Sequence, residues 1–344
     1  MGYATARTHR LEDVWPEEWA MGALKLDRLP PGGRAEKPTQ IPPQGWAQVL
    51  KRAWKEGKDD NISLLAAGVA FFTFLAIPPT LVAAVTLYGL VSSPAQVQKN
   101  LQQASSGIPS SARTVVTDQI SRITGQHSGA LSVALVVSLL LALWSASAAV
   151  QNLMKAINVA YDEEETRGFV KLRGTAMMLT AAGIVFFLVV IALIAALPPV
   201  LSNLSISPAF TVVVQVVRWL LLLGLVTAAL AVLYRTAPDR DAPRLRWVSL
   251  GAVAATTVWI VVSVLLSLYA SKSGSYGKNF GALAGIAVLL MWLYLTNYAV
   301  LLGAEINAES EQQTEADTTR GEPRPIGARD AVKADSVPVP TGGE

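Results

Sequence analysis

The residues best suited to bind a ligand in this sequence lie in or beside long stretches without charge. Arg218 is the only full charge well inside one of these stretches. A guanidinium can donate two parallel hydrogen bonds to a carboxylate or a phosphate, and polar groups within a membrane are functional candidates because they are expensive there. We therefore expect Arg218 either to reach the lipid–water interface with its long side chain or to face a polar cavity.

Seven polar or charged residues form the predicted substrate-binding set. They are Arg218, Arg167, Arg235, Asn152, Asn158, Asn297 and Glu305. The arginines near the ends of helices could bind a phosphate or carboxylate headgroup, while the asparagines and Glu305 could line a vestibule on the cytoplasmic side. Hydrogen bonding between helices would explain the asparagines equally well.

Several other kinds of chemistry are excluded or unsupported. The chain has no cysteine, which excludes disulfides, iron–sulfur clusters, thiolate zinc sites and cysteine nucleophiles. His9 and His127 are the only histidines, and they are predicted to lie on opposite sides of a membrane. The sequence contains no Walker A, nucleophile-elbow or zincin motif. We therefore predict that the protein is not an enzyme and that it has no metal and no cofactor.

The elements that must position these residues are transmembrane helices. Of the 344 residues, 52% are hydrophobic and only 15% are charged, against about 25% charged in soluble domains. About 20 apolar residues cross the hydrocarbon layer of a bilayer, and no long window alternates with the period of a membrane β-strand. The predicted fold class is an all-α integral membrane protein, a bundle of six spans at residues 62–91, 130–153, 175–199, 210–234, 247–270 and 282–304.

Two prolines, Pro78 and Pro79, fall in the middle of the first span. A proline there removes a backbone donor and clashes with the preceding turn, so we predict that the helix kinks or breaks. Kinked helices are common where transporters bind substrate, and they also occur in purely structural bundles.

Basic residues near the span ends predict the orientation in the membrane. Twelve lysines and arginines flank the spans on one face and five on the other. Because cytoplasmic loops carry the excess of positive charge, both termini are predicted to be cytoplasmic. The formal net charge of +3 is too small to indicate a nucleic-acid partner.

The segments outside the spans are of two kinds. Residues 1–45 and 310–344 are rich in proline, glycine and mixed charge, which predicts disordered cytoplasmic tails. Residues 46–60 place apolar side chains at helical spacing between lysines, which predicts a helix on the membrane surface or, as a sharper alternative, a sensor of lipid headgroups. Residues 94–125 predict two short amphipathic helices on the opposite side.

Several short strings occur in an order and spacing that are more specific than any one string. They are Ala66-Ala67-Gly68-Val69-Ala70-Phe71-Phe72 with Pro78, Leu143-Trp144, Asn158-x-x-Tyr161 with Arg167, Tyr234-Arg235-x-x-Pro238, Phe280-Gly281-Ala282-Leu283, and Trp292-Leu293-Tyr294 running to Leu302-Gly303-Ala304-Glu305. Over residues 46–309 the chain resembles the BrkB/YihY family of bacterial inner-membrane proteins. The family often has tyrosine where this chain has Phe71 or Phe72, and again at Phe280.

This resemblance implies six helices in the bacterial cytoplasmic membrane and no settled activity. Members were formerly labelled as a transfer-RNA-processing ribonuclease, others were linked to serum resistance, and one branch was linked to moving lipid precursors across the membrane. Any role that rests on the missing tyrosine hydroxyls is not expected in this chain.

Two classes of function remain in competition at this level. The first is a transporter or flippase-like protein for a lipid or an amphiphilic anion, and the second is a non-transporting envelope scaffold or lipid sensor. A membrane nuclease is disfavoured, because metal-assisted hydrolysis needs converging carboxylate or histidine ligands and the cytoplasmic loops offer chiefly the acidic run at 162–165. The expected partners are membrane lipids and a lipid or organic-anion substrate, and the small-residue helix faces leave a homo-oligomer open.

Overall fold

The computed structural model describes residues 29–91, 133–196, 208–272 and 282–337. Seven helices make up most of these residues: α1 (Pro43–Asp59), α2 (Ile62–Val91), α3 (Val133–Ala160), α4 (Phe169–Ile191), α5 (Pro208–Thr236), α6 (Leu245–Lys272) and α7 (Ala282–Gln312). A short 3-10 helix, Pro38–Gln40, precedes α1, and a π-helical turn, Ala192–Ala196, extends α4. No strand occurs in the described ranges, so the all-α prediction is confirmed for them.

Five of the helices are long and apolar enough to cross a membrane. Their apolar segments are Ile62–Thr80, Phe169–Ile194, Phe210–Thr236, Leu245–Ala270 and Gly285–Gln312. These segments match five of the six predicted spans. Helix α3 coincides with the remaining one, the span predicted at 130–153, and its membrane crossing stays a prediction.

The helices begin and end where the backbone chemistry dictates. Inside lipid every backbone group must be paired within the helix, and the apolar runs supply side chains that need no other partner. Asn61 joins α1 to α2 in the left-handed conformation, with φ of 54°, which asparagine tolerates better than most residues. Helix α2 continues through Pro78 and Pro79 to Val91, so the predicted break does not occur there, while a bend of the axis stays a prediction.

Among the described residues, the long helices pack side by side in a row. Along this row α4 packs on α3, α3 on α2, α2 on α7, α7 on α6 and α6 on α5. The two end helices, α4 and α5, contact each other little. Helix α1 packs against the last turns of α7.

The closest helix contact joins α6 to α7. A methyl group on Gly251 would stand 2.1 Å from the carbonyl oxygen of Gly303, so only glycine fits. The Gly251 amide donates to Asn307 Oδ1 at 2.8 Å, and Tyr234 of α5 donates its hydroxyl hydrogen to the Val300 carbonyl at 2.7 Å. These contacts hold α5, α6 and α7 together beside the main apolar core, which includes Ile62, Met154, Ile157, Tyr161, Val248 and Leu301.

One end of the bundle carries a folded polar layer, here called the polar cap. It consists of residues 29–60, 161–168, 237–244 and 305–337. Within it α1 buries Val49 and Ala53 against its neighbours and leaves Leu50 and Trp54 half-exposed. The predicted helix is therefore present, and its predicted place on the membrane surface remains a prediction.

The tails differ from the disorder predicted for residues 1–45 and 310–344. Residues 29–42 and 313–337 belong to the polar cap and pack on its other segments, with Gln313, Thr318, Arg329 and Lys333 buried. The physical reason is that the last turns of α7 carry acidic side chains that pair with basic groups of other elements. The predicted amphipathic helices at 94–125, like residues 1–28 and 338–344, lie outside the described residues.

Candidate functional site

Arg167 joins the two loops of the polar cap. Its Nε and Nη2 donate to the two carboxylate oxygens of Glu165 at 2.7 and 2.6 Å, and Nη2 also donates to the Ala237 carbonyl at 2.9 Å. Only 5% of the Arg167 side chain is exposed. Because its donors are engaged by acceptors of the same chain, Arg167 holds the α3–α4 loop to the α5–α6 loop and does not present a free charge to a headgroup.

Asn158 belongs to the same loop junction. Its amide donates to Glu165 Oε2 at 3.0 Å, and its oxygen accepts from the Asp239 amide at 2.9 Å. The Asp239 carboxylate accepts from the amide and hydroxyl of Thr166 at 2.7 and 2.6 Å and from the Arg167 amide at 3.1 Å. Burial by itself raises the pKa of Asp239, but these hydrogen bonds and the charge of Arg167 prevail and lower it.

A second ion pair ties the loop after α5 to the end of α7. Arg240 Nη2 lies 2.6 Å from Glu311 Oε2, and both side chains are wholly buried. Thr318 donates its hydroxyl hydrogen to the same oxygen at 2.7 Å, and the guanidinium stands over the Tyr161 ring, 5.0 Å from its centre. Burial lowers the pKa of Arg240, but the charge of Glu311 outweighs this effect and raises it.

Lys333, in the segment that follows α7, connects this segment to the rest of the polar cap. Its ammonium lies 2.8 Å from Glu309 Oε1 and 2.9 Å from Asp162 Oδ2. The other oxygen of Glu309 accepts from Arg52 Nε at 2.6 Å. Thus α1, the α3–α4 loop, α7 and the tail meet at one group of charges.

Glu305 lies beneath this group, wholly buried in α7. Neither of its carboxylate oxygens has a hydrogen-bond donor among the described residues. The Asp60 carboxyl lies within hydrogen-bonding reach of Glu305, and two carboxyl groups form a hydrogen bond only when one of them carries a proton. Burial first, and then the charges of Asp162 and Glu56, raise the pKa of Asp60.

Arg218 and Arg235 both lie on α5. The Arg218 guanidinium stands over the ring of Trp219, 5.6 Å from its centre, and Trp219 is 56% exposed. Arg218 is half-buried, and neither arginine forms an ion pair with any residue that the structure describes.

Asn152 and Asn297 do not join helices through their amide donors. Each donates to a carbonyl of its own helix four residues earlier, Ala148 and Leu293, both at 2.8 Å. The structure thus brings together Arg167 and Asn158, places Glu305 and Asp60 as a separate pair in the same cap, and leaves Arg218, Asn152 and Asn297 apart.

Arg173 is a buried cation that lies two residues before the span predicted at 175–199. It lies in the first turns of α4 with 8% exposure. Its guanidinium donates to the Trp144 carbonyl and to Gln151 Oε1, the latter at 3.0 Å, and stands 4.2 Å from the centre of the Trp144 ring. The one sequence signal for its burial is its position directly before the charge-free window 174–217.

These features define a class: a helical membrane protein with several candidate spans and a folded polar cap on one end. Within this class the chain belongs to the family described as virulence factor BrkB, whose model matches residues 53–326. The match confirms the resemblance seen in the sequence, and it extends into the part of the tail that packs on the cap.

Similar proteins carry different names. The chain is 33% identical over 248 residues to YfkH of Bacillus subtilis (strain 168), named a ribonuclease-like protein, covering 71% of this chain and 88% of YfkH. It is 26% identical over 282 residues to a UPF0761 membrane protein of Alteromonas mediterranea, covering 79% of this chain and 90% of that protein. A UPF0761 membrane protein of Stenotrophomonas maltophilia (strain K279a) is 27% identical over 269 residues, 74% of this chain and 59% of that protein. No solved structure matches the chain.

Proposed function

We propose that this protein moves a lipid or an amphiphilic anion across the membrane. The observation that carries the proposal is the sparse contact, within the described residues, between α4 and α5 at the two ends of the row of helices. In an 18-residue apolar window of α4 only 11% of the residues are buried within the chain, and in one of α5 only 6%. An opening between two such helices would let apolar tails stay in the bilayer while a headgroup enters the bundle.

The charge on α5 supports an anionic headgroup as the cargo. Arg218 lies within the apolar segment of α5, and Arg235 lies in the last turn of the same helix. Because Arg218 and Arg235 lie at different depths on a helix that borders the opening, they can bind a phosphate or a carboxylate one after the other. Because the sequence has no nucleotide-binding motif, movement would be driven by an ion gradient or by the lipid gradient itself.

We further propose that the protein resides in the bacterial cytoplasmic membrane with the polar cap in the cytoplasm. The excess of lysine and arginine near the cap supports this orientation. Because the chain has no native cysteine, a single cysteine at exposed Glu322 gives a clean test. We expect it to resist an impermeant maleimide in intact cells and to react after lysis; reaction in intact cells would reverse the assigned orientation.

The transport proposal is tested by reconstitution into vesicles of phosphatidylethanolamine and phosphatidylglycerol with a trace of fluorescent phosphatidylglycerol. External dithionite bleaches only the outer leaflet, so lipid movement appears as bleaching beyond that of protein-free vesicles. We expect Arg218→Ala to slow the movement at least about tenfold, since a hydrogen bond to a charged group contributes about 1.5–3 kcal/mol.

Two matched variants sharpen this test. Arg218→Lys should keep part of the rate because it keeps the charge, and Arg320→Ala should keep all of it because Arg320 is exposed on the tail. Vesicles with wild-type protein that bleach like protein-free vesicles would refute the proposal. Equal rates for wild type and Arg218→Ala would refute the role of Arg218.

A lipid-sensing protein that transports nothing is the second candidate, and helix α1 favours it. Leu50 and Trp54 are 51% and 53% exposed, and the Lys58 ammonium lies 5.2 Å from the centre of the Trp54 ring. Such a face suits the headgroup layer of an anionic membrane. Wild-type protein that moves no lipid, yet loses co-purified phosphatidylglycerol when Lys51, Lys55 and Lys58 are changed to glutamine, would favour this candidate over transport.

A further inference from the structure

The polar cap contains a pocket of four carboxyl groups, here called the carboxyl pocket. Its members come from three elements: Asp60 between α1 and α2, Asp162 in the α3–α4 loop, and Glu305 and Glu309 in α7. Two cations face it, Lys333 from the tail and Arg52 from α1. Four carboxylates would therefore exceed the cations by two, and the charge of Glu56 in α1 also acts on Asp60. A bound proton would lower this excess of negative charge by one.

Within this pocket the cations engage only two of the four carboxyl groups directly. Lys333 pairs with Asp162 and Glu309, and Arg52 pairs with Glu309. Glu305 is wholly buried, and no donor from the described residues reaches its oxygens. An ionised carboxylate in that position would lack both a counter-charge in contact and a hydrogen bond, which is strongly unfavourable. A proton shared with Asp60 supplies the missing hydrogen bond.

We propose that Asp60 and Glu305 form a proton-binding site, and that the proton competes with the Lys333 ammonium for the carboxyl pocket. The proton comes from solvent and returns to it. Lys333 favours the ionised form of Asp60, so by linkage a proton on the pair weakens the docking of Lys333 by the same factor. Protonation therefore loosens the tail, and a docked tail expels the proton. This proposal does not depend on lipid transport.

Lack of cysteine in the chain makes a direct test practical. A single cysteine replaces Ala334, which is 1% exposed beside Lys333, and its maleimide labelling rate is divided by that of a cysteine at exposed Glu322, which corrects for thiol ionisation. We expect the ratio to rise about tenfold between about pH 9 and about pH 5.5, the equivalent of one pKa unit of coupling. An unchanged ratio would overturn the proposal.

Variants separate this site from other titrating groups. Glu305→Gln mimics the protonated form, so in the Ala334→Cys background the labelling ratio should be high at every pH. If Glu305→Gln fails to fold, Asp60→Asn provides the same test. Glu163 is the matched control because it accepts from the Val332 amide of the tail at 2.9 Å and burial raises its pKa. Glu163→Gln should keep the pH response, and loss of that response would assign the proton to Glu163 instead.

Infrared spectroscopy supplies a second readout on the wild-type protein. We expect a band of a protonated carboxyl group near neutral pH that is absent in Glu305→Gln. In Lys333→Met its midpoint should move to higher pH by about one unit, because the competing cation is gone. A ratio or band that responds to sodium at constant pH, and not to pH, would overturn the assignment of a proton.

Discussion

Breaking the Arg240–Glu311 pair should release residues 313–337 from the rest of the polar cap. Both side chains are wholly buried with 2.6 Å between Nη2 and Oε2. In Glu311→Gln the guanidinium would keep its charge without a counter-charge in contact. Removing one partner of a buried ion pair destabilises by about 3–5 kcal/mol.

The magnitude translates into a measurable population. Because every 1.4 kcal/mol is a factor of ten, about 3–5 kcal/mol raises the fraction of cap-open molecules between about a hundredfold and a few thousandfold. Thr318, which donates to the same carboxylate at 2.7 Å, should lose its position in the same event.

Hydrogen exchange with mass spectrometry on the full chain measures this opening through the amides of residues 313–337. The matched double variant, Arg240→Met with Glu311→Leu, replaces the pair by apolar groups and should recover most of the protection, since such replacements are often close to neutral. Arg34→Met is the surface control: that arginine is 85% exposed and lies 3.7 Å from Glu315, so exchange should change less than about fivefold. Unchanged exchange in Glu311→Gln, or a double variant as open as the single one, would refute the reasoning.

Three further predictions concern packing and pH. Gly251→Ala should lower the free energy of unfolding by about 1–3 kcal/mol through overpacking, and with it the melting temperature of the detergent-solubilised protein. Gly224→Ala should not, because nothing lies within 4 Å of the added methyl group. Equal melting temperatures of the two variants would contradict this. Because the pKa of Asp239 is lowered in the folded protein, its contribution to stability is complete above its unfolded pKa of about 3.9 and is lost as pH falls through the folded value. Asp239→Asn should therefore weaken the fall of the melting temperature at acid pH, and an unaltered fall would contradict the linkage. Arg173→Lys should lose the stacking on Trp144 and melt earlier than wild type, and equal melting temperatures would show that charge alone suffices.

The membrane helices were predictable because their signal is local. Each span needs its own run of apolar residues to satisfy the bilayer, so the scarcity of charge between residues 61 and 305 marks the helices without knowledge of their neighbours. The family was recognisable for a related reason, since short strings keep their order along the chain. The helix ends were less predictable, since α3 continues to Ala160 and α7 to Gln312, beyond the span ends predicted at 153 and 304.

The candidate site was predictable only as a collection of residue types. Arg167 and Arg218 looked alike in the sequence, but Arg167 is bound on both sides by acceptors of two loops, whereas Arg218 stands over an exposed tryptophan ring. Glu305 was expected to line a vestibule and instead is wholly buried next to another carboxyl group.

By itself the sequence determined five long apolar helices and the family. Only the tertiary structure decided which charges are free, because pairing joins residues far apart in the chain. Arg52 and Glu309 are 257 positions apart, and Arg240 and Glu311 are 71 apart, so no local pattern could reveal that the tail folds back on the cap. Hydropathy acts residue by residue, whereas the fate of a charge depends on the nearest opposite charge in space.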